Sequence, residues 1–201
     1  MVIGLTGPTG AGKSTASRTA EAFGFKIIDA DLAAREAVKK GSPLLEKICF
    51  EFGNVLNKDG SLDRKKLAAA AFKNQDCTKK LNSVMLPYIK NLIAKKIAVL
   101  ESDGAKLILL DAPTLFEAKA DSLCFKIIGV LAPKELRLKR IMNRDGITKD
   151  AAELRMNAGK SDDFYLEHCD CILINDGSEQ DFQQECDKLF KSFLLETEAA
   201  T

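Results

Sequence analysis

The stretch that most constrains this chain is residues 7–15, Gly-Pro-Thr-Gly-Ala-Gly-Lys-Ser-Thr, which fits the spacing G-x-x-x-x-G-K-[ST]. Glycines let the backbone bend so that successive N–H groups point inward at phosphate oxygens. An apolar run at residues 2–5 predicts a buried strand before this loop, and residues 14–23, without Pro or Gly, predict a helix after it. A strand, this loop and a helix in that order predict binding of a nucleoside triphosphate.

Two side chains of this phosphate loop (residues 7–15) have a specific expected task. The Lys13 ammonium neutralises the β- and γ-phosphates, and the Ser14 hydroxyl is a ligand for Mg²⁺. The first turn of the helix adds unpaired N–H donors. We therefore predict a nucleoside triphosphate and Mg²⁺ as ligands, with nucleotide contacts from Gly10, Ala11, Gly12, Lys13, Ser14 and Thr15.

The composition is that of one ordinary globular α/β domain. The chain has 201 residues, 46% hydrophobic and 29% charged, with a net charge of +1, so neither nucleic acid nor a membrane surface is an expected partner. None of the six cysteines forms a C-x-x-C pair, and Cys169-x-Cys171 beside His168 leads into an apolar run without a second ligand pair. Free thiols of this kind predict a reducing, cytoplasmic location.

Five short apolar runs alternate with helical stretches and predict a parallel sheet with helices on both faces. Between the second and third runs, and between the fourth and fifth, lie helical insertions at the strand ends where ligands bind. Pro87 is expected to end or kink a helix that Asp76 caps. The predicted strands are residues 2–5, 25–31, 106–111, 125–131 and 171–174.

Acidic residues close two of these strands: Asp29 and Asp31 the second, and Asp111 the third. Asp31 is predicted to accept the proton of an attacking hydroxyl group. Asp111 is predicted to support Mg²⁺ directly or through water. The alternatives are that Asp29 and Asp31 only cap the following helix and that Asp111 is an ordinary acid at a strand end.

Arg137, Arg140 and Arg144 follow the fourth strand at spacings of three and four residues. These spacings place the three guanidinium groups on one helix face, where they suit a triphosphate and a phosphoryl group in transfer. The alternative is a solvated charged face shared with Lys134 and Lys139.

Several further segments give the chain a family resemblance over residues 2 to about 177. The most restrictive are Asp29-Ala30-Asp31, Asp59-Gly60-Ser61-Leu62-Asp63-Arg64 and Leu115-Phe116-Glu117, in this order and spacing. Further matches are Arg35, Leu81-Asn82, Arg140, Arg144-Asp145-Gly146, Arg155, Asp170 and Asn175. At these positions the chain resembles the dephospho-coenzyme A kinase family, which belongs to the P-loop kinases.

The resemblance implies an α/β, three-layer P-loop kinase fold with a five-stranded parallel sheet, a helical acceptor-binding insertion and a helical lid. Residues 1–201 would form a single unit. Its core would comprise about 1–31, 104–133 and 169–201, the insertion about 32–103 and the lid about 134–168.

The resemblance also implies a reaction, the transfer of the γ-phosphoryl group of ATP to the ribose 3′-hydroxyl of dephospho-coenzyme A. No obligate protein partner is expected for it. By carry-over, Lys13, Asp31 and Arg140 would be catalytic and Arg144 would bind the nucleotide. The acceptor would contact Asp29, Arg64, Leu115 and Glu117, and Ser14 with Asp111 would hold the metal.

The chain departs from the family pattern at four positions. Leu86 stands where His is usual, Thr114 where Leu is usual, and Gly159 and Arg137 where Gln is common. These changes concern the acceptor side and the lid and leave the phosphate loop intact. Two alternatives stay open, a kinase for another nucleotide-like acceptor and a non-catalytic ATP-binding regulator.

Overall fold

The computed structural model describes residues 1–199, and a five-stranded parallel sheet forms its centre. Its strands are β1 (Val2–Thr6), β2 (Lys26–Asp29), β3 (Ile108–Asp111), β4 (Lys126–Leu131) and β5 (Cys171–Ile174). They lie in the order β2-β3-β1-β4-β5, so the strand that leads into the phosphate loop is the central one. All five predicted strands and the predicted parallel α/β class are confirmed.

Nine α-helices, within residues 1–199, cover and extend this sheet. They are α1 (Lys13–Ala22), α2 (Ala30–Ala37), α3 (Pro43–Phe52), α4 (Arg64–Ala71), α5 (Gln75–Ser102), α6 (Lys134–Asp145), α7 (Lys149–Asn157), α8 (Asp162–His168) and α9 (Glu179–Ala199), with a 3-10 helix at Asp121–Leu123. None of the helices in this described range is both long enough and apolar enough to cross a membrane.

The two faces of the sheet bury separate apolar clusters, which gives the three-layer architecture. On one face, Ile3 and Leu5 of β1 pack in a cluster with Phe190 of α9. On the other face, Val2 and Ile108 pack in a cluster with residues of α2, α3, α4 and α5. Side chains that alternate along a strand point to opposite faces, so the central strands supply both clusters.

Some local predictions were wrong or incomplete. The second strand ends at Asp29 rather than at residue 31, because the Asp29 carboxylate accepts from the Leu32 N–H at 2.9 Å and caps α2. Asp31 therefore lies in the first turn of α2. Pro87 does not end its helix, since α5 continues from Gln75 to Ser102, and Asn74 rather than Asp76 is its cap. Helix α8 was not predicted as a separate element.

Candidate active site

The phosphate loop has a backbone that only glycine can adopt at several positions. The φ angles of Gly7, Gly10 and Gly12 are 141°, 79° and 112°. A Cβ atom on Gly7 would lie 2.2 Å from the carbonyl oxygen of Val130 in β4. A Cβ atom on Gly12 would lie 2.2 Å from the side-chain amide nitrogen of Asn175. Both distances are shorter than any van der Waals contact, so the loop fits closely against its neighbours.

Asn175, directly after β5, holds the loop in place from the protein interior. Its buried side-chain amide donates to the carbonyl oxygen of Ala11 at 2.9 Å and accepts from Arg140 at 3.0 Å. The Arg140 guanidinium also donates to the carbonyl oxygens of Gly10 and Ala11 at 3.4 and 3.5 Å. Asn175 was missing from the predicted site, although a polar residue directly after a buried strand was a usable signal.

The ammonium group of Lys13 lies inside the curve of the loop. Its Nζ donates to the carbonyl oxygens of Gly7 and Pro8 at 2.7 and 3.2 Å. Burial lowers the pKa of Lys13, and the nearby carboxylates of Asp111 and Asp31 partly offset that shift. A phosphate group in the loop would supply the negative charge that this buried cation lacks.

A cavity of about 950 Å³ opens in front of the loop, and we call it the phosphate cavity. Two arginines of α6, Arg140 and Arg144, line it together with the acids Asp29, Asp31 and Asp111. Asp29 and Asp111 are direct neighbours in the register of β2 and β3, which brings the strand-end acids together as expected. Of the predicted site residues, Gly10, Gly12, Lys13, Ser14, Thr15, Asp29, Asp31, Asp111, Arg140 and Arg144 line this cavity.

A second cavity of about 380 Å³ lies beside the first, under α2, α4 and α5. Arg35 and Arg64 line it together with apolar side chains such as Leu67 and Met85. Asp31 lines both cavities. The carboxylate of Asp31 therefore stands where the two spaces meet.

Asp111 is the most perturbed carboxyl group of the site. Burial raises its pKa to about 6, against the opposing effects of Lys13 and Ser17. The residues described hold no cluster of three His, Cys, Asp or Glu side chains that could bind a metal unaided. The hydroxyl of Ser14 and the carboxylate of Asp111 are oxygen donors on one wall, which suits Mg²⁺ shared with a phosphate.

Some predicted site residues lie elsewhere. Ala11 is fully buried and offers its backbone to Asn175 and Arg140. Leu115 is also fully buried, so its side chain packs in the core and lines neither cavity. Glu117 is exposed and lines neither cavity. Arg137 does not join the other two arginines, because its guanidinium turns away to pair with Asp162 of α8.

Comparisons with known proteins agree with this geometry. The sequence model of the dephospho-CoA kinase family matches residues 1–181. A dephospho-CoA kinase of Carboxydothermus hydrogenoformans is 42% identical over 178 residues, which cover 88% of this chain and 86% of the relative.

Solved structures give the same result. A dephospho-CoA kinase from Campylobacter jejuni has a TM-score of 0.73 at 33% identity, over 96% of both chains. A protein from Thermus thermophilus has a TM-score of 0.80 at 28% identity, over 96% of this chain and 97% of its own. The chain is therefore a kinase with the P-loop kinase fold, and it belongs to the dephospho-CoA kinase family.

Proposed function

We propose that this kinase transfers the γ-phosphoryl group of ATP to the ribose 3′-hydroxyl of dephospho-CoA, the reaction that completes coenzyme A. The position of Asp31 carries the proposal, because this carboxylate lines both the phosphate cavity and the second cavity. A hydroxyl group presented from the second cavity would meet Asp31 before it meets the γ-phosphate. Asp31 would accept its proton as the phosphoryl group moves.

The cations of the site would act on the phosphate side. Lys13 lies within the loop, and Arg140 is held against the same loop by Asn175. Negative charge on the transferring phosphoryl group would be stabilised by both, without rearrangement of the loop. Arg144, on the wall of the same cavity, would bind the nucleotide.

The acceptor would be bound by the second cavity. Arg64, the first residue of α4, and Arg35 of α2 provide positive charge for the acceptor's phosphates, and the apolar wall suits an uncharged arm. Asp29 would assist mainly by capping α2, the helix that carries Asp31. Leu115 would act by packing beneath residues 116–117, and Glu117 would contact the acceptor only from outside the second cavity.

Mg²⁺ fits the oxygen donors Ser14 and Asp111, which would hold it with the ATP phosphates. Bound there, the ion would neutralise phosphate charge and fix the triphosphate. The cytoplasmic location that the free cysteines predict remains a proposal.

We further propose the division into a core, an acceptor-binding insertion at about 32–103 and a lid at about 134–168. The insertion corresponds to α2–α5 and the lid to α6–α8. Residues 200–201 of the predicted core segment lie outside the described residues.

An acceptor panel tests the proposed reaction. ADP formation is measured with ATP and Mg²⁺ in the presence of dephospho-CoA, AMP, adenosine or shikimate, and the product's phosphate position is assigned by NMR. We expect turnover that depends on dephospho-CoA and a 3′-phosphate product. Turnover with another nucleotide alone would favour the alternative kinase, and tight ATP binding without any turnover would favour a regulator.

A further inference from the structure

Arg137 is a buried cation that the proposed reaction does not use. Only 7% of the residue is exposed. One terminal nitrogen donates a hydrogen bond to one carboxylate oxygen of Asp162 at 3.2 Å and lies 3.1 Å from the other oxygen in an ion pair. Its Nε is buried and, among the described residues, has no hydrogen-bond acceptor. A guanidinium that is desolvated to this degree depends strongly on the carboxylate that pairs with it.

The backbone of Arg137 touches the phosphate loop. A Cβ atom on Gly10 would lie 2.9 Å from the Arg137 carbonyl oxygen and 3.1 Å from its Cα. Arg140, one turn further along α6, donates to the same loop. Any tilt of α6 at Arg137 therefore moves the arginine that faces the transferring phosphoryl group.

The partner helix α8 packs against the segment that follows β3. The ring of Phe164 in α8 packs edge-to-face against Phe116, with centroids 5.1 Å apart. Burial and, to a smaller extent, the charge of Glu117 raise the pKa of the neighbouring Tyr165 to about 12. Helix α8 therefore contacts Phe116 directly.

We propose that Arg137 is a positioning residue for phosphoryl transfer, because its pair with Asp162 fixes α8, and the segment 116–117 beneath it, relative to α6 and the phosphate loop. This inference rests on the proposed function. The family resemblance implies glutamine as a usual residue at this position, and glutamine would have no charge to pair with Asp162.

Four single variants and one double variant test the link. Arg137→Gln and Asp162→Asn each remove one charge of the pair, and Arg137→Lys keeps the charge with a different geometry. Asp163→Asn is the matched control, because Asp163 is the neighbouring exposed acid in the same first turn of α8. The double variant Arg137→Gln/Asp162→Asn closes a thermodynamic cycle.

Steady-state kinetics with ATP and dephospho-CoA gives the readout. We expect Arg137→Gln and Asp162→Asn each to lower kcat by about tenfold, because misalignment of the reacting groups affects the transfer step. The KM for ATP should change by about twofold or less, since the loop itself is intact. The double variant should lose no more than either single variant, Arg137→Lys should recover part of the rate, and Asp163→Asn should match the wild type.

Several results would overturn this role for Arg137. One is an unchanged kcat in both single variants, and another is a double variant whose fold loss in kcat is the product of the two single losses. A third is a loss in kcat that the unfolded fraction, measured by circular dichroism, fully explains. Asp162 is half-exposed, so Asp162→Asn tests the proposal even if Arg137→Gln fails to fold. Turnover by the wild type of another nucleotide acceptor would contradict the proposed function, and the same variants would then test Arg137 with that acceptor.

Discussion

The phosphate side and the acceptor side of this protein are built in different ways. On the phosphate side, the backbone of the loop packs so closely against its neighbours that no side chain fits between them. Gly7 lies against the backbone of Val130, and Gly12 lies against the buried side-chain amide of Asn175. On the acceptor side, α2–α5 are held by apolar packing and by caps that each helix supplies for itself, such as Ser42 and Asp63. The close backbone contacts of the phosphate side allow almost no displacement of the loop, whereas the apolar packing of the acceptor side tolerates small displacements of its helices.

This difference corresponds to what each side has to bind. The phosphates of a nucleotide have one shape, and a preorganised set of N–H donors and cations binds them best. An acceptor with a long arm needs an apolar wall and a few charges, which the second cavity provides. We therefore expect substitutions on the phosphate side to affect transfer strongly and substitutions on the acceptor side to affect acceptor binding or stability moderately.

The largest effect should follow Lys13→Ala. Removal of the ammonium that lies within the loop leaves the phosphoryl group without its nearest cation, so kcat should fall by about a thousandfold. The measurement is coupled ADP detection at saturating substrates. Lys191→Ala, at an exposed position of α9, is the control and should leave the rate unchanged.

Asp31→Asn should have the next largest effect and tests the meeting point of the two sides. Loss of the proton acceptor should lower kcat by about a hundredfold, because an amide cannot take the hydroxyl proton. Binding of ATP, measured by calorimetry, should change little. Full retention of kcat would mean that Asp31 is not the base.

Asn175→Ala tests whether the close fit of the loop stabilises the whole protein. The substitution leaves the buried Ala11 carbonyl without its amide donor and removes a partner of Arg140. We expect the free energy of unfolding in urea to fall by about 2 kcal/mol, with a higher KM for ATP. A fall no larger than that of Asn91→Ala, an exposed control in α5, would contradict this expectation.

The smallest effect should come from Asp63→Ala on the acceptor side. Its carboxylate accepts from the N–H groups of Lys65 and Lys66, both at 3.0 Å, and begins the helix whose first residue is Arg64. Loss of this cap should cost about 1 kcal/mol of stability. The KM for dephospho-CoA should rise while the KM for ATP stays constant. An equal rise in both KM values would contradict the proposed difference between the phosphate side and the acceptor side.

Much of the phosphate side could be predicted from the sequence because its geometry is local. The spacing of residues 7–15 fixes a strand, a loop and a helix, and the strand-end acids Asp29 and Asp111 are brought together by parallel pairing alone. The same local logic predicted Asp63 as the cap of α4. Residues that are close in sequence determine these features, and packing against the rest of the protein does not change them.

The remaining features depend on contacts between distant parts of the chain. Helical spacing put Arg137 beside Arg140 and Arg144, but an acid 25 residues further along draws its side chain away. The amide of Asn175 reaches a loop that lies 164 residues earlier. Pro87 stays within α5, because tertiary packing of that helix outweighs the missing N–H of one residue.

The two carbonyl oxygens that accept hydrogen bonds from Lys13 also compete with a phosphate for the same ammonium group. A nucleotide that enters the loop must draw the ammonium away from Gly7 and Pro8, so its measured affinity is a difference between two sets of hydrogen bonds. A triphosphate offers more oxygen atoms to the loop than inorganic phosphate does, so we expect the triphosphate to bind more tightly against this competition.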